Sequence, residues 1–510
     1  MTDAIAIAVP RAGRRDWIGL SVIALPCMLY SMDLTVLDLA VPRISAELEP
    51  TSTQLLWILD IYGFLVAGSL ITMGGLGDRI GRRRLLLIGA ATFGATSVLA
   101  AFSTSPGMLI ASRALLGLAG ATLAPSTLSL IRNMFLVPVE RTFAIGVWGM
   151  SYSVGGAVGP LLGGLLLQHY GWGSVFLIAV PVMVLLLLVG PVLLPEFRDP
   201  NAGRIDILSA VLSLLAVLLV IYGLKRMAES GLGWLPVASV VLGVLVGRLF
   251  ISRQRRLADP LIDIRLFRSL PFTTALAAYT LATFVGFGIY VFVAQYLQLV
   301  LGLSPLMAGL YTIPSMSAYI VGSMVVPVLA RRVPRVYAMS GGFALASAGF
   351  LVLSWLQHDP SVPILVAGTV IYSLGLCPIF ILATDLIVGS ATVGRAGAAA
   401  AISETSSELG GALGIAILGS IGTAVYRGAM AAAIPSGIPA GVADAARRTL
   451  GGAVTEASRL PDAAGAQLLG LARDSFVHAF AVITLISAAI TLATAVLVAL
   501  SLRPVRPRHS

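Results

Sequence analysis

The sequence predicts an all-α polytopic membrane protein: fourteen transmembrane helices with both termini cytoplasmic. Three observations carry that prediction. The chain is 58% hydrophobic and 11% charged, with a mean hydropathy of +0.96, whereas a soluble domain carries roughly 25% charged residues. Apolar stretches of about 20 residues, the length that crosses a bilayer as helix, begin near residues 17, 55, 85, 107, 142, 173, 206, 234, 271, 305, 336, 361, 397 and 476. With the N-terminus inside, cytoplasmic tails and loops collect most of the 33 basic residues. The exceptions are Arg43, Lys225, Arg226, Arg427, Arg447, Arg448, Arg459 and Arg473 outside, and Arg113 within a span. That asymmetry is the positive-inside pattern. It makes the net charge of +10 a topology signal and excludes a nucleic-acid face.

The first apolar run, from about Trp17, is too long for a signal peptide's apolar region and lacks a small-residue cleavage site, so it reads as a retained span. Six spans joined by short loops end in "PEFRDPNAGRID" (Pro195 to Asp206), giving an N-terminal six-helix bundle over 1–200. Two inserted spans occupy 201–256. The basic stretch "RLFISRQRRLADPLIDIRLFRS" (Arg248 to Ser269) leads into a C-terminal six-helix bundle over 257–510. Within it, the Ala/Gly/Pro-rich segment 425–475 reads as an extracytoplasmic loop with one short helix, between spans thirteen and fourteen. Repeated six-helix halves are the organisation of facilitator-type transporters.

Several chemistries are excluded. Cys27 and Cys377 fall inside apolar runs, so no disulfide framework is implied. His169, His358, His478 and His509 lie at or beyond span ends, which argues against haem or a buried metal. Lys225 is the only lysine, so no P-loop lysine exists. The expected energy source is a proton gradient, with no cofactor.

The motifs narrow the family. "GGLGDRIGRRRLL" (Gly74 to Leu86) links spans two and three on the cytoplasmic side, with Asp78 near a helix N-terminus, where negative charge is favoured, and Arg79, Arg82, Arg83 and Arg84 at the turn. Gly74, Leu76, Asp78, Arg79, Gly81, Arg82 and Arg83 match G-x-L-x-D-R-x-G-R-R, so the stretch resembles the signature loop of the major facilitator superfamily. The resemblance implies a charge latch between halves that helps set the inward–outward equilibrium. "LIASRALLGLAGA" (Leu109 to Ala121) resembles the family's second motif, which implies a link between Arg113 and proton transfer. "GGAVGPLLGG" (Gly155 to Gly164) sets Gly155, Gly159 and Gly163 in one groove on span five, with Pro160 removing a backbone donor and Gly164 following. It resembles the family's antiporter motif. Fourteen spans plus D-x-T in "MDLTVLDLAVP" (Met32 to Pro42) resemble the drug–proton antiporter branch, which exports quaternary ammonium compounds, dyes and other lipophilic cations. Asp38 departs from that branch, which usually carries Asn there.

Ionisable residues inside spans mark candidate sites, because each is expensive in hydrocarbon. At about 1.5 Å per residue, Asp60, Arg113 and Asp33 fall within one layer of the outer half of the N-terminal bundle. Arg113 there demands a carboxylate or carbonyl partner. Glu404 and Glu408, four residues apart on one face of span thirteen, lie about 11 and 17 Å from its inner end. Two carboxyls on one buried face repel each other and favour taking up a proton, as a proton-coupling site requires. Packing by hydrogen bonds to Ser403, Thr405, Ser406 or Ser407 is the structural alternative. Asp385, late in span twelve, reads as a solvated helix end. Trp57, Tyr62, Trp148, Tyr152, Phe284, Phe287 and Tyr290 could line a cavity and add cation–π attraction.

The residues and the resemblance together predict a monomeric, proton-coupled antiporter in the bacterial cytoplasmic membrane, exporting lipophilic cationic small molecules by alternating access. A facilitator for another amphiphilic substrate (antibiotic, lipid or nutrient) is the alternative in kind. A membrane-embedded enzyme or receptor is the alternative in class, and the spans lack a metal set or Ser–His pairing that would favour an enzyme.

Overall fold

The computed structural model describes residues 10–198, 206–230, 233–257, 260–358, 361–391, 395–434 and 438–501. The side chains of Asp38 and Pro160, and most of the linker after Arg198, lie outside the described residues. Among those described, every regular element is a helix. The first half comprises α1 (Arg14–Leu48), α2 (Ser52–Ile80), α3 (Arg82–Ala101), α4 (Pro106–Gly120) continued by α5 (Leu123–Met134), α6 (Pro138–His169), and α7 (Ser174–Leu177) continued by α8 (Ala179–Leu193). The inserted pair is α9 (Ile207–Ser230) and α10 (Trp234–Gln254). The second half comprises α11 (Leu270–Gln295), α12 (Pro305–Arg332), α13 (Arg335–Ser354), α14 (Val362–Ser390), α15 (Ala396–Ala433), the short α16 (Ala440–Arg448) and α17 (Leu450–Ala457), and α18 (Asp462–Ser501). Fourteen of the resulting spans are long and apolar enough to cross a membrane.

Local chemistry sets the helix starts. Thr51 and Gln54 form a reciprocal box at α2: the Gln54 N–H donates to Thr51 Oγ1 at 3.3 Å and the Thr51 N–H to Gln54 Oε1 at 3.0 Å. Ser105 and Ser304 cap α4 and α12, each followed by a proline that needs no N–H partner.

Close glycine seams hold each half together. A Cβ at Gly155 of α6 would lie 2.1 Å from the Met28 carbonyl of α1, and one at Gly159 2.5 Å from Thr35 Oγ1. The same arrangement recurs in the second half. A Cβ at Gly410 of α15 would lie 2.6 Å from the Thr280 carbonyl of α11, and one at Gly414 2.0 Å from that of Phe284. "GGAVG" (155–159) and "GGALG" (410–414) are thus equivalent stretches of the two halves. Between helices in lipid, where burial of apolar surface gives no drive, such backbone approach supplies the packing.

The inserted helices are not equivalent. α10 turns Val241, Leu242, Val244, Leu245 and Leu249 outward. α9 contacts both halves: Val217 and Ile221 pack with Phe64 and Ala67 of α2 and against Leu409 and Ala412 of α15.

Three sequence expectations are corrected here. The 425–475 segment holds two short helices, not one, and α15 and α18 extend into it. Thr449 ends the Ala-rich α16 and caps α17, accepting from the Gly452 N–H at 3.0 Å. Lys225 lies in the last turn of the helical span Ile207–Met227 rather than in a loop, and its ammonium turns back to Asp60 of α2. Arg113 is not the only basic residue within the helices that form the spans; Arg132 and Arg141, among others, lie near the ends of theirs.

Candidate functional site

Glu404 and Glu408 project from α15 into the interior between the halves, and each keeps part of its surface accessible. Tyr30 of α1 donates its hydroxyl to Glu408 Oε1 at 3.2 Å, a contact between the halves. Glu404 Oε1 has no hydrogen-bond partner among the described residues, and Tyr279 of α11 lies beside it. Neither glutamate forms an ion pair with a described arginine or lysine. Aromatic rings surround the pair. Tyr30 meets Tyr62 at 6.0 Å and Tyr152 at 5.6 Å, and Tyr152 meets Trp148 at 4.8 Å. On the other side Tyr279 and Tyr319 flank Phe380 at 5.6 and 6.2 Å. Tyr319 also borders a cavity of about 180 Å³ that Tyr290, Tyr311, Thr369 and Tyr372 line nearer the outer face.

Of the predicted aromatics, Tyr62, Trp148 and Tyr152 belong to this central cluster and Tyr290 to the outer cavity. Phe284 and Phe287 pack along α15 at Gly414 and Gly411, and Trp57 meets Phe64 edge-on along α2. Tyr30, Tyr279, Tyr319 and Phe380 are absent from the sequence prediction. Their signal is the spacing of single aromatics along the inward faces of α1, α11, α12 and α14, which becomes visible only once those faces are known.

Asp33 and Arg113 form a second, charge-compensated centre. Arg113, fully buried, donates through Nη1 to Asp33 Oδ2 at 2.5 Å and through Nε to the Ile58 carbonyl at 3.1 Å. Its guanidinium lies 4.8 Å over the Tyr62 ring. The single layer predicted for Asp33, Asp60 and Arg113 is not one cluster. Arg113 takes the backbone of α2 near Asp60, while the Asp60 carboxylate turns to α9 and pairs with Lys225. Helix rotation, which residue counting does not give, separates them.

The cytoplasmic ends of the halves are joined by two clasps. Asp78 at the end of α2 accepts from the Ala398 N–H at 3.2 Å, at the N-terminus of α15. Asp78 also pairs with the buried Arg82, which donates to the Gly74 carbonyl at 3.0 Å. A Cβ at Gly74 would strike Ala401, and one at Gly397 would run into Arg82. Arg79 donates to the Gly75 carbonyl at 2.9 Å, and Gly81 turns the chain with φ +112°. In the second clasp Asp385 of α14, fully buried, accepts from Arg141 of α6 at 2.5 Å, from Thr142 at 3.2 Å, and lies 2.7 Å from Arg335. Asp385 is therefore not a solvated helix end: two arginines and a hydroxyl replace its water. Within the antiporter motif, Gly155 and Gly159 form the α1 seam, Gly163 is buried, and Gly164 faces open space.

The sequence profile described as Major Facilitator Superfamily matches residues 23–415. The chain belongs to that superfamily. As a superfamily member it is a transporter, not an enzyme, and a multi-pass protein of the inner membrane. It is 42% identical over 493 residues, 97% of each chain, to the multidrug efflux pump LfrA of Mycolicibacterium smegmatis. It is 36% identical to the methyl viologen resistance protein SmvA of Salmonella typhimurium, over 92% of this chain and 94% of that one. Among solved structures, the human organic anion transporter MFSD10 shares the fold with TM-score 0.62 at 17% identity, covering 93% of this superfamily member and 99% of that chain.

Proposed function

We propose that this transporter is a monomeric proton-coupled antiporter that exports lipophilic cationic drugs, antiseptics and dyes by alternating access. The observation that carries the reading is the Glu404–Glu408 pair: two carboxyls between the halves, ringed by aromatics and without a basic partner among the described residues. A carboxyl there holds either a proton or a cation, and that exclusion is what an exchange cycle needs. Rings face-on to a cation add about 0.5–2 kcal/mol of attraction. The cycle this reading implies loads protons on the pair from the outer side while the cytoplasmic clasps are shut. Opening the clasps exposes it to cargo from the cytoplasm. The names of the relatives, a multidrug efflux pump and a methyl viologen resistance protein, agree with this cargo class.

Ethidium efflux from proteoliposomes under an imposed proton gradient tests the reading. Protein-dependent efflux that collapses with the gradient is the expected result. If no cationic dye moves, the cation reading fails. A second reading, export of an amphiphilic antibiotic, draws on the 34% identity over 407 residues to the tetracenomycin C resistance and export protein of Streptomyces glaucescens. It would then take precedence.

A further inference from the structure

The chain has a single lysine, and all its other basic residues are arginines. That lysine, Lys225, is placed where a cationic ligand would bind. Its ammonium pairs with Asp60 and lies 5.0 Å over the ring of Phe64. Phe64 meets Trp57 edge-on at 6.2 Å and Tyr222 at 6.5 Å. A carboxylate beside the face of a phenyl ring, with further rings packed edge-on behind it, is the chemistry that recognises organic ammonium ions. The place is accessible: the Asp60 and Lys225 side chains are 23% and 39% exposed, and Trp57 is 37% exposed. On α9, Arg226 lies over Tyr222 at 5.7 Å and adds a second positive charge beside the rings.

We infer that Asp60, Trp57, Phe64 and Tyr222 form a cation site that Lys225 occupies as a tethered stand-in for cargo, so that a cationic substrate binds there by displacing the lysine. This inference rests on the cationic cargo proposed above. The choice of residue fits displacement. A lysine ammonium is a point charge on a flexible stem, whereas an arginine fork would hold the carboxylate bidentately. The tether therefore sets a threshold: weakly binding cations leave the lysine in place, and strongly binding ones release it.

Two measurements test this on the full-length protein in lipid nanodiscs, with tetraphenylphosphonium as probe. Lys225→Met should tighten equilibrium binding of the probe about fivefold, the size of a half-exposed ion pair of about 1 kcal/mol, and Lys225→Arg should weaken it. In the unaltered protein, saturating probe should speed acetylation of Lys225 by an amine-reactive ester severalfold, read on the one peptide that contains it. This second measurement holds even where Lys225→Met fails to fold. If the parent binds the probe but Lys225→Met binds no tighter, or the probe leaves acetylation unchanged or slows it, the stand-in is overturned while cationic cargo survives. If the parent binds and exports no cation, both fall.

Discussion

The seam of α6 on α1 and the seam of α15 on α11 have the same glycines and opposite electrostatics. In the first half, "GGAVG" draws α6 onto α1, and the acid of α1 is neutralised: Asp33 holds Arg113 at 2.5 Å. In the second half, "GGALG" draws α15 onto α11, but the acids on α15 form no ion pair with an arginine or lysine among the described residues, and Glu408 accepts from the Tyr30 hydroxyl. By register, Glu404 and Glu408 stand where the first half carries Gly149 and Ser153. In the proposed proton-coupled cycle, the arginine-paired acid of the first half is the fixed charge and the glutamate pair of the second half the variable one, on one shared framework.

The largest effect should come from removing the variable charge. Glu408→Gln keeps the shape and hydrogen-bonding capacity of a protonated carboxyl but cannot release a proton, so gradient-driven efflux should fall to the level of protein-free liposomes while the protein remains folded. Glu404→Gln should be milder and mainly displace the pH profile of transport, since the pair titrates as a unit. Substrate-induced proton release in detergent reads both. If both variants release protons and pump like the parent, the contrast between the halves has no role in coupling.

Breaking the fixed charge should act on stability as well as transport. Arg113→Ala leaves Asp33 buried without its partner, which typically costs about 3–5 kcal/mol, and should give membrane-inserted protein with a lowered melting temperature and little efflux. Arg113→Lys should rescue poorly, because the Ile58 carbonyl and Asp33 are both served by one planar fork. Full activity in the alanine variant would make the first half's charge dispensable.

The shared frame can be tested apart from the charges. Gly155→Ala and Gly414→Ala each push a methyl into a partner carbonyl and should cost about 1–3 kcal/mol by overpacking, read as similar losses in melting temperature. A loss at one seam alone would end the equivalence.

The smallest effect should come from the half-exposed charge pair at the cytoplasmic ends of the inserted helices, Asp206 with Arg253. The hydrogen bond from Arg253 at 2.5 Å, then that from Ser209, hold the Asp206 carboxyl at about 2, below its ordinary 3.8. Because the folded value is depressed, the stabilisation is present above 3.8 and lost as pH falls through about 2. Asp206→Asn should therefore cost under about 1 kcal/mol at neutral pH, with the gap in melting temperature from the parent closing as the pH is lowered toward 2. A gap that persists in acid would assign Asp206 a role other than this charge pair.

The sequence by itself determined the helical class, the fourteen spans, their orientation, the signature loop and the two acids of span thirteen. Each follows from information local to the chain: a run of about 20 apolar residues spans a bilayer wherever it occurs, and a carboxylate within such a run is costly whatever its neighbours. Partners were decided only by tertiary structure. Residue counting gives depth along a span but not the direction in which a side chain points around the helix. Asp60 therefore reads as a neighbour of Arg113 and pairs with Lys225 instead. Asp385 reads as a solvated end yet lies buried against Arg141, and Asp78 caps α15 rather than a helix of its own loop. Asp60 and Lys225, Arg141 and Asp385, and Asp78 and Ala398 are 165, 244 and 320 residues apart in the chain. At such separations only the packing of helix on helix brings such partners together.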